Sequence, residues 1–134
     1  MPVMPVMVDT SIWIEYFRKG NCSETLDFLI EEDLVVLNEL ILAELIPPLR
    51  LRNQQEIIRL LMSVKSYNLA INWDQIIDFQ CKCLKAGING IGIPDLLIAQ
   101  NARQNRYEIY TLDNHFRLIQ DILNIQILTV HESD

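Results

Sequence analysis

The chain predicts an α/β fold: one domain over residues 1–134, with a parallel sheet of about five strands between two helical layers. Short uninterrupted apolar runs, Val6-Met7-Val8 and Leu34-Val35-Val36-Leu37, have the pattern of strands covered on both faces. Helix-capping residues follow each run, and apolar residues at helical spacing come next. The alternation of the two patterns continues along the chain without a repeat, a low-complexity tract or a linker.

The elements follow in order. After the first strand, Asp9-Thr10-Ser11 are capping types and open a helix carrying Ile12, Trp13, Ile14, Tyr16 and Phe17. Gly20-Asn21 stops it, and Ser23-Glu24 begins a second helix with Leu26, Leu29 and Ile30 on one face. The run 34–37 is the second strand, capped by Asn38 ahead of a helix from Glu39 to Ile46. Pro47-Pro48 should end that helix, because proline donates no hydrogen bond and restricts the residue before it. Helix resumes around Asn53, with Ile57, Leu60, Leu61 and Val64 in register. Asn68-Leu69-Ala70-Ile71 reads as the third strand, and a helix from Asn72 or Trp73 carries Ile76, Ile77, Phe79 and Leu84. Residues 87–92 form a glycine-containing loop, and Pro94 fits the first position of the next helix. Glu108 to Thr111 is the fourth strand, His115 to Leu123 a helix, and Ile125 to Val130 the last strand.

Composition narrows the classes. A 50% hydrophobic and 22% charged chain is globular rather than disordered. No apolar run approaches the ~20 residues that span a bilayer, and the start lacks a basic region of the signal-peptide kind. The expectation is a cytoplasmic protein with no membrane contact. Met1, Met4 and Met7 leave the initiating residue open. Cys22, Cys81 and Cys83 are an odd set without metal spacing, and they read as free thiols. A net charge of −7 argues against a general nucleic-acid coat, while leaving room for a nuclease or for a basic partner segment.

Four acids stand apart: Asp9, Glu44, Asp95 and Asp113. Carboxylates among Val, Ile and Leu are costly unless something positive neutralises them, and hard divalent cations select oxygen ligands. In open α/β sheets ligands sit beyond the carboxyl ends of the strands, where Asp9 and Asp113 are expected. Each acid has a plainer reading. Asp9 alone is most simply a helix cap, Asp95 a first-turn acid favoured by the helix dipole, and Asp113 a turn residue. Yet Asp95, Ile98, Ala99 and Ala102 share one helical stripe, which points this acid inward. Glu44 has only Leu40, Ile41, Pro47 and Pro48 at neighbouring helical positions, so a solvated-face reading fits it poorly. Several carboxylates meeting at one point repel one another, and together they favour a bound cation.

The segments VMVDTSIWIEYF, LILAEL, IPDLLIAQNA and IYTLDNHF resemble, in order, the four signature segments of the PIN-domain nucleases. The nearest subgroup is the VapC-type toxins of bacterial toxin–antitoxin pairs. The resemblance covers essentially the whole chain. It implies that Asp9, Glu44, Asp95 and Asp113 are the catalytic acids and hold Mg²⁺ or Mn²⁺, with Thr10, Ser11 and Thr111 as supporting hydroxyls. It also implies an endoribonuclease that stops translation by cutting tRNA or rRNA, a cognate antitoxin partner, and a homodimer. The expected chemistry is metal-assisted hydrolysis of phosphodiesters.

Substrate contacts are sought near helix ends, at Arg18, Lys19, Arg50 and Arg52, with Arg103, Arg106 and Arg117 as further candidates for phosphate contact; solvation explains most of these equally well. Of Trp13, Tyr16 and Phe17, at least two suit core packing better than base stacking. His115, two residues after Asp113, reads more readily as a surface histidine than as a proton donor, and His131 has no context. The glycines of residues 87–92 make no phosphate cradle. Two other classes stay open, a receiver-type phospho-acceptor module and an idle binding domain of the same fold. The first wants paired acids after the first strand and a late lysine, and the chain has neither; the second gives no reason for Glu44.

Overall fold

The computed structural model describes residues 4–18 and 23–130. Met1, Lys19, the helix stop at Gly20-Asn21, Cys22 and His131 lie outside the described residues.

Strand β1 (Val6–Val8) leads into helix α1 (Thr10–Phe17), and α2 (Ser23–Glu31) follows. Then come β2 (Val35–Asn38), α3 (Glu39–Leu51), α4 (Gln55–Ser63) and β3 (Lys65–Tyr67). The second half runs α5 (Trp73–Lys85), α6 (Ile93–Asn105), β4 (Glu108–Tyr110), α7 (Asn114–Leu123) and β5 (Gln126–Ile127). The strands pair in parallel in the order β3-β2-β1-β4-β5, with helices on both faces of the sheet. The three-layer α/β/α expectation holds.

The apolar runs form the central strand and one of its two neighbours, because residues covered on both faces need no alternation. Val6, Met7, Val8, Val35, Val36 and Leu37 are all buried. Trp13 is fully buried from α1 and donates from Nε1 to the Val8 carbonyl at 3.2 Å, so the helix is anchored to the strand before it. Asn38 is also fully buried. Its Oδ1 accepts from the Ile41 amide at 2.9 Å as the cap of α3, and its Nδ2 donates to Asn101 Oδ1 at 3.1 Å. One side chain thereby ties the second strand to helices on either side.

Three expectations need correction. The third strand is Lys65–Tyr67, not residues 68–71. It lies at the sheet edge and is largely exposed, so no apolar run marks it. The backbone of residues 68–72 is satisfied by side chains instead of a neighbouring strand. Glu39 accepts from the Leu69 amide, Gln104 donates to the Ala70 carbonyl, and Gln100 bonds both the amide and the carbonyl of Asn72. Second, α3 continues through Pro47 and Pro48 to Leu51. Both prolines face solvent beside exposed Ala43 and Glu44, the residues whose carbonyls lose their helical partners, so water can take the missing donors' place. The helix ends where Asn53 adopts a positive φ of 55°. Third, β5 is two residues long rather than six, extended only by the Leu128 amide donating to the Ile109 carbonyl.

Among the described residues no helix is long and apolar enough to cross a membrane. Cys81 is exposed and Cys83 buried on opposite faces of α5, as their spacing required.

Candidate active site

The strand order reverses direction between β1 and β4, since β2 and β3 extend one way and β5 the other. Such a switch point opens a crevice beyond the carboxyl ends of the strands. Asp9 directly follows β1 there, with its amide donating to the Tyr110 carbonyl at 3.0 Å, and Thr111 directly follows β4.

Asp9 stands at the N-cap position of α1 but makes no side-chain cap bond. Its carboxylate turns to hydroxyls. Oδ2 accepts from Ser11 Oγ and from Thr111 Oγ1, each at 2.9 Å, and Thr10 Oγ1 lies 3.4 Å from Oδ1. The hydroxyls are themselves held, Ser11 by the Leu112 amide at 3.0 Å and Thr111 by the Asp113 amide at 2.9 Å. A carboxylate only 5% exposed is thus oriented entirely by neutral donors. The plain capping explanation does not describe it.

Asp95 lies in the first turn of α6, on the stripe that buries Ile98, Ala99 and Ala102. Asp113 caps α7, accepting from the His115 amide at 2.9 Å, so its turn-residue reading is true of one oxygen. His115 Nδ1 lies 3.5 Å from Asp95 Oδ2 and 3.5 Å from Asp113 Oδ1. One ligating atom from each of the three falls within 4.8 Å of the others. His115 therefore belongs to the cluster while staying 43% exposed, so it is at once a surface histidine and a neighbour of both acids. Burial raises the Asp95 carboxyl above the usual range, and the charges of Asp113 and Asp9 raise it further.

Glu44 projects from the exposed side of α3, so its apolar sequence neighbours do not enclose it. Partial desolvation nevertheless pushes its carboxyl upward, followed by the charges of Asp9 and Asp95. Asp9 thus acts on both Glu44 and Asp95, Asp95 on Glu44, and Asp113 on Asp95. Among the described residues no lysine or arginine pairs with any of them. Hard oxygen donors and one imidazole without a cationic partner suit a divalent ion.

Beside Glu44 a cavity of about 420 Å³ is lined by Ile14, Phe17 and Arg18 from the first helix and its end, and by Pro48, Leu49 and Arg52 from the third. Arg18 and Arg52 thus meet at one place, whereas Arg50 does not line it. Trp13, Tyr16 and Phe17 pack on one another, with Trp13 in the core as its spacing indicated.

Comparison with known proteins places this geometry. The sequence matches the PIN domain over residues 6–122. VapBC2 from Rickettsia felis, solved bound to a DNA fragment from its promoter, superposes with a TM-score of 0.74 at 19% identity, covering 93% of this chain and 98% of that one. FitAcB from Neisseria gonorrhoeae gives 0.70 at 22% identity, with 92% and 96% covered. A toxin–antitoxin complex from Klebsiella pneumoniae gives 0.59 at 17% identity, with 81% and 87% covered. No curated protein matches the chain. The family match removes the receiver-type alternative.

Proposed function

This chain belongs to the PIN-domain family, and we propose on that premise that it is a divalent-metal-dependent endoribonuclease, the toxin of a toxin–antitoxin pair. PIN domains are generally nucleases and usually bind divalent metals. The observation that carries the reading is the cluster of Asp95, Asp113 and His115 at the switch point, with the charge of Asp9 acting on both Asp95 and Glu44. A site of that kind lacks positive charge, and the proposal is that Mg²⁺ or Mn²⁺ supplies it.

When bound, the ion would contribute Lewis-acid activation of water and of the phosphodiester. Asp9, Glu44 and Asp95 are the principal ligands in this reading, with Asp113 direct or through water. Ser11 and Thr111 hold the Asp9 carboxylate in a fixed orientation, Thr10 touches its second oxygen, and the burial of Asp9 removes competing solvent. His115 Nδ1 lies near enough to Asp95 and Asp113 to pass a proton to either. Hydrolysis leaves the phosphate on one RNA fragment and returns a hydroxyl to the other. The structural relatives solved as VapBC and as a toxin–antitoxin complex support a cognate antitoxin. A homodimer and cytoplasmic action on tRNA or rRNA complete the proposal.

The test is cleavage of a mixed tRNA and rRNA pool by the partner-free protein, with Mg²⁺ or Mn²⁺ and with EDTA. Asp95→Asn, prepared identically, is the control. Metal-dependent cutting that the variant lacks is expected. Equal cutting by a folded Asp95→Asn protein, or by wild type in EDTA, sinks the assignment.

A further inference from the structure

The cavity beside Glu44 offers more than hydrolysis requires. Its walls are apolar, from Ile14, Phe17, Pro48 and Leu49, while exposed Arg18 and Arg52 bring two guanidinium groups to it. Among the described residues neither arginine pairs with an acid. Glu44 lines this cavity and also feels the charges of Asp9 and Asp95, so an occupant of the cavity lies on the side of the acids.

An apolar recess with an aromatic ring, flanked by unpaired guanidinium groups, matches the two halves of a nucleotide. A splayed-out base stacks on the ring and the aliphatic walls, and phosphates take the forked donors. The volume of about 420 Å³ falls in the range of small-ligand pockets, roughly 300 to 1,000 Å³. At this spot two arginines without an acidic partner favour an anionic ligand over a basic one. Connectivity adds a constraint: a phosphodiester held at the acids places its neighbouring nucleotide within reach of Glu44.

We propose that this cavity seats the base of a nucleotide next to the scissile phosphodiester, with Arg18 and Arg52 holding the adjoining phosphates. The cavity then gives cleavage its base preference. This rests on the nuclease reading of the acids, and the experiment separates the two.

The binding arm is an NMR titration of the wild-type protein in EDTA, with each ribonucleoside 5′-monophosphate and with ribose 5-phosphate. At least one nucleotide should shift Phe17, Arg18 and Leu49, ribose 5-phosphate should not, and Ile14→Trp should abolish the shifts by filling the cavity. Ile14 is exposed, and Arg52→Glu is a second surface variant that should weaken the same binding. The cleavage arm maps the ends cut from random-sequence RNA with Mn²⁺. The base bias at one flanking position should fall about tenfold in Ile14→Trp, the order of one lost base stack. Nucleotides that leave the cavity unshifted, or ribose 5-phosphate that reproduces the shifts, overturn the proposal and leave the cavity to a protein partner. So does a wild type that cuts without base bias. Wild type that binds nucleotides here yet cuts nothing with Mn²⁺ overturns the nuclease reading instead.

Discussion

Asp95→Asn should make the metal-free protein more stable. The ligating oxygens of Asp95 and Asp113 lie within 4.8 Å of each other, and Asp9 adds a third charge. Two unit charges at that separation repel by about 3.5 kcal/mol at an effective dielectric of about 20, and by about 0.9 kcal/mol in water. The side chains are 24% and 36% exposed, and the His115 imidazole stands between them, so the lower end is appropriate. Removing the charge at Asp95 while keeping its shape should therefore gain about 1 kcal/mol, which for a domain of this size raises Tm by roughly 3–5 °C. The same change removes a proposed metal ligand. A saturating ion, at about 100 times its Kd, stabilises the fold that binds it by about 2.7 kcal/mol. Thermal melts in EDTA and with added Mn²⁺ read both effects at once. Wild type should melt lower than the variant in EDTA and gain far more from Mn²⁺. A variant that melts below wild type in EDTA, or gains as much from Mn²⁺, refutes the account of the cluster as mutually repelling ligands.

Further expectations are equally direct. Thr111→Val removes the donor to Asp9 Oδ2 and the acceptor of the Asp113 amide; urea unfolding should show a loss of about 2–3 kcal/mol, with most of it restored by Thr111→Ser. Glu44 has a raised folded pKa, so its contribution to metal-free stability is present below the ordinary carboxylate pKa and is lost as pH rises through the raised value. The Tm of wild type relative to Glu44→Gln should fall from acid to neutral pH in EDTA, and a pH-independent difference would contradict this sign. Pro47→Ala supplies an amide for the Ala43 carbonyl on the solvent face of α3. Against a proline cost near 3 kcal/mol in helix interiors and an unfolded-state offset of about 1 kcal/mol, a net gain of about 1–2 kcal/mol is expected in denaturant melts.

What the sequence displayed depended on burial. Val6-Met7-Val8 and Leu34 to Leu37 announced the central strands because both of their faces are covered. Lys65–Tyr67 sits at an edge, where exposure permits polar residues and periodicity vanishes. The run after it looked strand-like because Leu69 and Ile71 are apolar, but its backbone partners are Glu39, Gln100 and Gln104, distant side chains that no local pattern reveals. Pro47-Pro48 misled in the opposite direction, since a local rule about donors cannot know which helix face meets solvent. At the acids, the strand-end rule located Asp9 and Asp113, and the stripe with Ile98 located Asp95. For Glu44 the apolar neighbours implied enclosure, whereas the structure places it on the exposed side, and its coupling to Asp9 and Asp95 is a tertiary property. His115 was legible as a neighbour of Asp113, whereas its approach to Asp95 comes from the packing of α6 against α7.

The way Asp9 is held bears on how such a site is kept in check. A structural carboxylate is commonly paired with arginine or lysine, which fixes its charge locally. Here Ser11, Thr111 and Thr10 orient Asp9 without neutralising it, and their hydroxyls cannot offset the charges at Glu44, Asp95 and Asp113. The deficit of positive charge is consequently built in, and any cation that reaches the crevice is favoured. Under the toxin reading, a divalent ion and a guanidinium carried by the antitoxin would compete for the same deficit. Inhibition would then need no distortion of the fold, only a partner side chain that satisfies the acids before a metal does. Raising the Mn²⁺ concentration should weaken such a partner's hold, whereas a partner bound elsewhere would be indifferent to it.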